Sequence, residues 1–218
     1  MSQDPFLLKA YNEGLDIHRL TASEVFNVKF SKVTDEQRSI AKSINFGLIY
    51  GKTAIGLSET LTEITGKLHT VEDSDLIMKN YFDRFSNVKV FLDDLINNAD
   101  LNGYSSTLFG RRRPIPELAS SKLSERSKGN RLAMNSPIQG TAADIIKMAM
   151  ISCDNEIKKQ KLKSKMILQV HDELLFEVPD NEIKIMERLI KFEMENVVRL
   201  SIPLEVDVKK GKSWALAH

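Results

Sequence analysis

Two short stretches of the chain carry residue types and spacings suited to chemistry on phosphates. Arg38, Lys42, Phe46 and Tyr50 recur at every fourth position, a stripe that drifts only ~40° per step around a helix. A guanidinium fork and an ammonium one turn apart can hold one polyphosphate, and two rings further along can stack on a base or sugar. A solvated basic face beside packed aromatics is the plain alternative. The second stretch is His171-Asp172-Glu173, which sets adjacent carboxylates between two apolar runs. Like charges beside a core are costly unless water or a cation compensates them. Magnesium suits such a place, since it takes one or two carboxylates and completes its shell with water and substrate phosphates. The plain alternative here is a solvated acidic turn. A two-metal site needs a second carboxylate from elsewhere.

A third feature is local charge. Residues 105–131 hold seven basic residues, Arg111, Arg112 and Arg113 among them, against Glu117 and Glu125. The whole chain carries 31 Lys and Arg against 30 acids, a net charge of +1, so no global field attracts a polyanion. The basic segment suits a phosphate backbone better than a small substrate, with a solvated basic loop as its rival. The lysines at 158, 159, 161, 163 and 165 read as a solvated helix end. His18 and His69 stand isolated, and no zinc spacing is present.

The elements that must position these residues are legible in outline. Thr34 and Gln37 have capping-box spacing, opening a helix to about Tyr50 with Ile40, Ala41, Ile44 and Leu48 on its packing face. Gly47 inside it costs about 1 kcal/mol relative to Ala, a sign of close approach by something. Residues 55–65 and 73–101 read as helices, the latter stopped by Asn102-Gly103. Ser120 to Asn130 is polar. Pro137 at a first helical position, with Ser136 and Gln139 again spaced as a capping box, predicts a helix over about 137–159. Lys165–Val170 and Leu174–Val178 predict a hairpin. A helix over about 181–200 follows, its apolar face set by Ile183, Met186, Leu189, Ile190 and Val197. Ile202 to Val208 reads as a closing strand. The fold class is α+β, with two unequal parts.

The chain has 218 residues, 42% hydrophobic and 28% charged, which suits a globular protein and excludes a disordered one. The lone Cys153 excludes an internal disulfide framework and fits a reducing compartment. No apolar run approaches the ~20 residues of a membrane span, and residues 1–14 lack the pattern of a secretory leader.

Together these pieces resemble the family A DNA polymerases, the bacterial DNA polymerase I type. Arg38-Ser-Ile-Ala-Lys42-Ser-Ile-Asn-Phe46-Gly-Leu-Ile-Tyr50-Gly51 is similar to that family's fingers helix, and Gln169-Val-His171-Asp172-Glu173 to its palm carboxylate motif. Between them, Gly103 to Arg113 and Arg131-Leu-Ala-Met-Asn135-Ser-Pro-Ile-Gln139-Gly-Thr-Ala-Ala-Asp144 fall in the family's order, and Trp214 to His218 resembles its C-terminus. The resemblance implies a fingers subdomain over about 1–134 and the C-terminal part of a palm over 135–218. It implies that Arg38, Lys42 and His18 hold the triphosphate of a dNTP, that Phe46 packs on the sugar, and that Tyr50 sits by the templating base. Arg131, Asn135 and Gln139 would line the minor groove of primer-template DNA, with Arg111, Arg112 and Arg113 as further DNA contacts. His171 would lie near the primer terminus, Asp172 would bind Mg2+, and Glu173 would assist. Ser39 departs from the family, where many relatives have a second Arg.

The family's other metal-binding Asp sits in an Asp-Tyr-Ser-x-x-Glu-Leu-Arg pattern, absent from these 218 residues. The resemblance therefore implies a partner, the upstream polymerase portion with thumb and remaining palm, in cis or as a separate polypeptide. It implies a chain inactive without that portion, in a cytoplasmic, nucleoid-associated bacterial setting with no membrane partner. A non-catalytic nucleotide- and DNA-binding fragment is the rival expectation; an RNA polymerase relative of the same family ranks below it.

Overall fold

A computed structural model of the chain describes residues 1–217; the similarity read at His218 lies outside the described residues. The architecture is α+β, mostly helical with small antiparallel hairpins. The chain divides into two compact units, Met1–Gly140 and a second from Thr141 onward.

The first unit begins with α1 (Pro5–Asn12) and α2 (Ile17–Val25), capped at their N-termini by Asp4 and Asp16. The expected capping box forms at the start of α3 (Asp35–Ile49): Gln37 N donates to Thr34 Oγ1 at 3.2 Å and Thr34 N to Gln37 Oε1 at 3.0 Å. Ile40, Ala41, Ile44 and Leu48 are buried, as the periodicity predicts. Helix α4 (Ala54–Thr65) follows, then α5 (Val71–Arg84) and α6 (Ser86–Asn102). The core joins Ile40, Ile44 and Leu48 to Leu57, Leu61, Tyr81, Phe85, Val88, Leu92 and Met134.

The single helix expected over 73–101 is thus two. The break is at Phe85 (φ −109°, ψ 58°), whose ring is 1% exposed and lies 4.9 Å from that of Tyr81. Burying that ring takes the backbone out of the helical region, and no Gly or Pro marks the place. Beyond Gly103 (φ 73°), a short hairpin of β1 (Tyr104–Ser106) and β2 (Arg112–Pro114) pairs Ser105 with Arg113.

The next helix corrects the reading at Pro137. Helix α7 runs 37 residues, Leu123–Lys159, straight through the proline and across the boundary of the units. An internal proline removes a hydrogen bond and costs ~3 kcal/mol in an isolated helix. Here packing offsets it: Ala133, Met134 and Pro137 are buried, Arg113 Nη1 donates to Ser136 Oγ at 3.1 Å, and Arg111 Nη2 to Gly140 O at 2.9 Å. Ser136 serves the hairpin and caps nothing. The polar segment expected before the proline is helical from Leu123.

The second unit holds the end of α7, the expected hairpin of β3 (Lys165–Val170) and β4 (Glu173–Glu177), and α8 (Ile183–Glu195). Its core is Ile157, Met186, Leu189 and Ile190. Helix α8 stops at Glu195, short of the expected 200, where Asn196 caps it through the Phe192 carbonyl. Residues 202–207 alternate in exposure as a strand would, yet they pair with neither hairpin, and the expected closing strand is not formed. A final turn, α9, spans Trp214–Ala217.

Candidate functional site

Within the first unit, α2 and α3 bring together five of the residues singled out above. Arg38 and Lys42 stand on the side of α3 away from the core, followed by Phe46, 46% exposed, and Tyr50, 36% exposed. The Phe46 and Tyr50 rings stack, with centroids 6.2 Å apart and planes 22° from parallel. His18, on α2, extends the row, its ring centroid 5.8 Å from that of Phe46. Two cations and three rings therefore share one accessible strip, where the Lys42, Phe46 and Tyr50 side of α3 also borders a cleft of about 520 Å³ that Arg131 reaches.

The electrostatics of the strip are tuned by Asp16. Its Oδ1 caps α2 by accepting from Arg19 N at 3.0 Å, and its Oδ2 accepts from Arg38 Nε at 2.6 Å. Burial pushes the Asp16 carboxyl up, but the Arg19 amide and the Arg38 guanidinium outweigh it and hold the pKa below its ordinary value. His18 is shifted toward its neutral form. Partial burial is the largest cause; Asp16 opposes it, and the charges of Arg38 and Lys42 add to it.

Asn45 and Thr21 carry no signal in the stripe analysis, because they fall on the packing side of their helices. Both are buried, and Thr21 Oγ1 donates to Asn45 Oδ1 at 3.0 Å, while Asn45 Nδ2 meets His18 Nδ1 at 3.0 Å. The detectable hint was an amide whose helical neighbours, Ala41 and Leu48, belong to an otherwise apolar face. Gly47 has a local explanation: a Cβ there would lie 3.2 Å from Lys52 Cδ, so what approaches is this chain's own lysine stem. Gly51 is tighter, with φ +74° and a virtual Cβ 2.2 Å from Met134 Cε. The positive φ favours glycine there, and a side chain would also have to displace the Met134 methyl.

Arg131, Asn135 and Gln139 form a stripe on α7, Arg131 and Gln139 exposed and Asn135 half-buried. Arg131 Nη1 donates to Ser127 Oγ at 3.1 Å, and Asn135 Oδ1 is buried without a hydrogen-bond partner. The three consecutive arginines are fixed in place: Arg111 and Arg113 on α7 as described, and Arg112 over the Tyr104 ring at 4.7 Å. Part of the local positive charge is compensated, Arg126 by Asp100 at 3.6 Å and Lys128 by Glu117 at 3.1 Å.

In the second unit, His171 and Asp172 form the tip of the β3–β4 hairpin, both exposed. His171 takes the left-handed conformation (φ 51°), and its carbonyl accepts from Gln169 Nε2 at 2.6 Å. Glu173 is the first residue of β4, paired with Val170, one position earlier than the expected strand start. Carboxylates at an exposed tip suit a hydrated magnesium ion, which needs few protein ligands. Among the described residues no three His, Cys, Asp or Glu side chains gather as a metal cage, so Asp172 and Glu173 fit as part of a donor set.

Comparison with known proteins identifies the family of the chain. The family model described as DNA polymerase family A matches residues 1–216. The chain is 46% identical to DNA polymerase I of Caldicellulosiruptor bescii and 44% identical to that of Bacillus subtilis, in each case over 98% of this chain and 24% of the relative. It is 44% identical to DNA polymerase I of Mycobacterium tuberculosis over all of its own length. Among solved structures, the POL domain of Pol1 from M. smegmatis, in complex with DNA primer-template and dNTP, matches at 45% identity and a TM-score of 0.93. That match covers 99% of this chain and 37% of the other. The chain thus spans about a quarter of the length of the curated relatives it matches. With its fingers-helix and palm-carboxylate motifs inside a match that runs nearly end to end, the chain belongs to DNA polymerase family A.

Proposed function

We propose that this chain supplies the nucleotide-facing and part of the DNA-facing and catalytic surface of a DNA polymerase I-type enzyme. That enzyme makes DNA on a template in replication and repair. The observation that carries this is the accessible strip of His18, Arg38, Lys42, Phe46 and Tyr50, two cations followed by stacked rings. Phosphates of an incoming dNTP are held by Lys42, Arg38 and His18, the sugar lies on Phe46, and Tyr50 borders the templating base. Arg131, Asn135 and Gln139 follow the minor groove of primer-template DNA, and the Arg111–Arg113 hairpin adds charge for its backbone. His171 stands near the primer terminus, and Asp172 with Glu173 would hold Mg2+. Two such ions supply activation of the primer hydroxyl and stabilisation of the departing pyrophosphate. The setting is the bacterial cytoplasm, at the nucleoid; among the described residues no helix is long and apolar enough to cross a membrane.

The partial donor set has a consequence. With no third ligand beside Asp172 and Glu173 among the described residues, the 218 residues alone do not extend a primer and require the upstream portion that carries the other palm Asp and the thumb. The same observation favours a second reading, a nucleotide- and DNA-binding fragment without catalysis. Single-nucleotide primer extension with magnesium separates them, run with the chain alone and with a polypeptide bearing the upstream palm strand and thumb of a relative. Extension in the mixture only is the expected result. Extension by the chain alone would show that another carboxylate completes the site, and DNA binding without extension in either would favour the non-catalytic reading.

A further inference from the structure

We propose that Asn45 is a positioning residue: its amide, oriented by the Thr21 hydroxyl, holds the His18 imidazole in the tautomer that carries its proton on Nε2. The ring then presents an N–H donor toward the phosphates of a nucleoside triphosphate. The inference rests on the reading that His18 faces those phosphates, and it concerns residues that the polymerase motifs leave without a role.

The argument follows the donors and acceptors. Thr21 is fully buried and Asn45 is 6% exposed, so each polar atom of the pair must find its partner within the protein. The Thr21 hydroxyl donates to Asn45 Oδ1 at 3.0 Å, which turns Asn45 Nδ2 toward His18 Nδ1 at the same distance. An amide nitrogen only donates, so Nδ1 must offer its lone pair, and a neutral ring then keeps its proton on Nε2. An imidazolium would set an Nδ1–H against the Asn45 N–H, so the same contact also disfavours the charged ring. Burial and the charges of Arg38 and Lys42 act in the same direction, against the opposing field of Asp16. With the ring held beside Phe46, a fixed Nε2–H becomes a preorganised phosphate donor that needs no reorientation when substrate arrives.

The test is a two-bond proton–nitrogen NMR spectrum of the chain with labelled histidine, His18 being assigned by its disappearance in His18→Gln. The expected pattern is an unprotonated Nδ1 and a protonated Nε2. A proton on Nδ1 overturns the proposal. Asn45→Asp, nearly isosteric, puts an acceptor on Nδ1 and is expected to move the proton there and the ring's titration to higher pH; an unchanged tautomer overturns the role of Asn45. Should that variant not fold, Thr21→Val removes the orienting donor at constant volume and is expected to give a mixture of tautomers, whereas a retained single Nε2–H form counts against the relay. Inorganic tripolyphosphate added to the wild-type chain should shift the Nε2 resonance. No shift, with the Nε2–H tautomer in place, would sink the phosphate-facing reading while the Asn45 geometry stood.

Discussion

Arg38 donates through Nε to Asp16 at 2.6 Å, so the first cation of the accessible strip is already tied to the carboxylate that caps α2. One side chain thereby sets a helix start, orients a guanidinium and raises the basicity of His18 nearby. Asp16→Asn separates these effects. Asparagine caps as well as aspartate, and a partly exposed ion pair contributes about 1 kcal/mol at most, so the fold should persist with little loss. His18, deprived of the one charge that favours its protonated form, should titrate at still lower pH. An NMR pH titration reads this directly, and an upward move would contradict the assignment of charges around the ring.

Lys42 acts on the same histidine with the opposite sign. It is exposed, so Lys42→Ala should change stability by less than ~0.5 kcal/mol while moving the His18 titration upward. In a complete polymerase the variant should bind dNTP about 10–100-fold more weakly, the worth of a charged hydrogen bond, with primer-template affinity unchanged. A fluorescence titration with each ligand checks the split. Equal loss for both ligands would mean that Lys42 supports the fold or the DNA.

Two neighbouring positions on α3 should differ sharply. Ile44 has no exposed surface and sits in the main core, whereas Phe46 is 46% exposed, its ring flanked by those of His18 and Tyr50. Ile44→Ala should cost about 2–5 kcal/mol, and Phe46→Ala about 1 kcal/mol. Urea unfolding midpoints measure both. Comparable costs would show that the Phe46 ring is structural and unavailable to a sugar.

How much of this was legible depended on where each signal lived. Helix α3 could be read because its cap, its periodicity and its burial all agree: Thr34 and Gln37 start it, and Ile40, Ile44 and Leu48 face inward. Pro137 misled because its local preference for a helix start is overridden by contacts distant in sequence, from Arg111 and Arg113. The break at Phe85 and the unpaired segment 202–208 have the same character, since each is decided by what is packed against it or what fails to pair with it. The Thr21–Asn45–His18 contacts join residues 24 and 27 positions apart, beyond any helical repeat, and only the amide inside an apolar face hinted at them.

Glu182 offers a test confined to the second unit. Its carboxylate is 7% exposed and accepts from Lys163 N, from Ser164 N at 2.9 Å and from Ser164 Oγ at 2.6 Å, fastening the start of α8 to the approach to β3. The Lys163 amide, then the Ser164 hydroxyl, hold its pKa below the ordinary value of 4.5 against the effect of desolvation. As pH falls through 4.5, the unfolded chain takes up the proton first, so the stabilisation present above that value is lost as pH drops toward the folded-state pKa. Glu182→Gln cannot titrate and turns an NH2 group toward backbone donors. The variant should therefore be less stable than wild type at neutral pH, and the gap should close as the solution is acidified below 4.5. Thermal unfolding across that range measures the gap, and hydrogen exchange should place the loss in β3, β4 and α8. A gap that stayed constant would mean that the carboxylate fills space there without accepting those hydrogen bonds in its charged form.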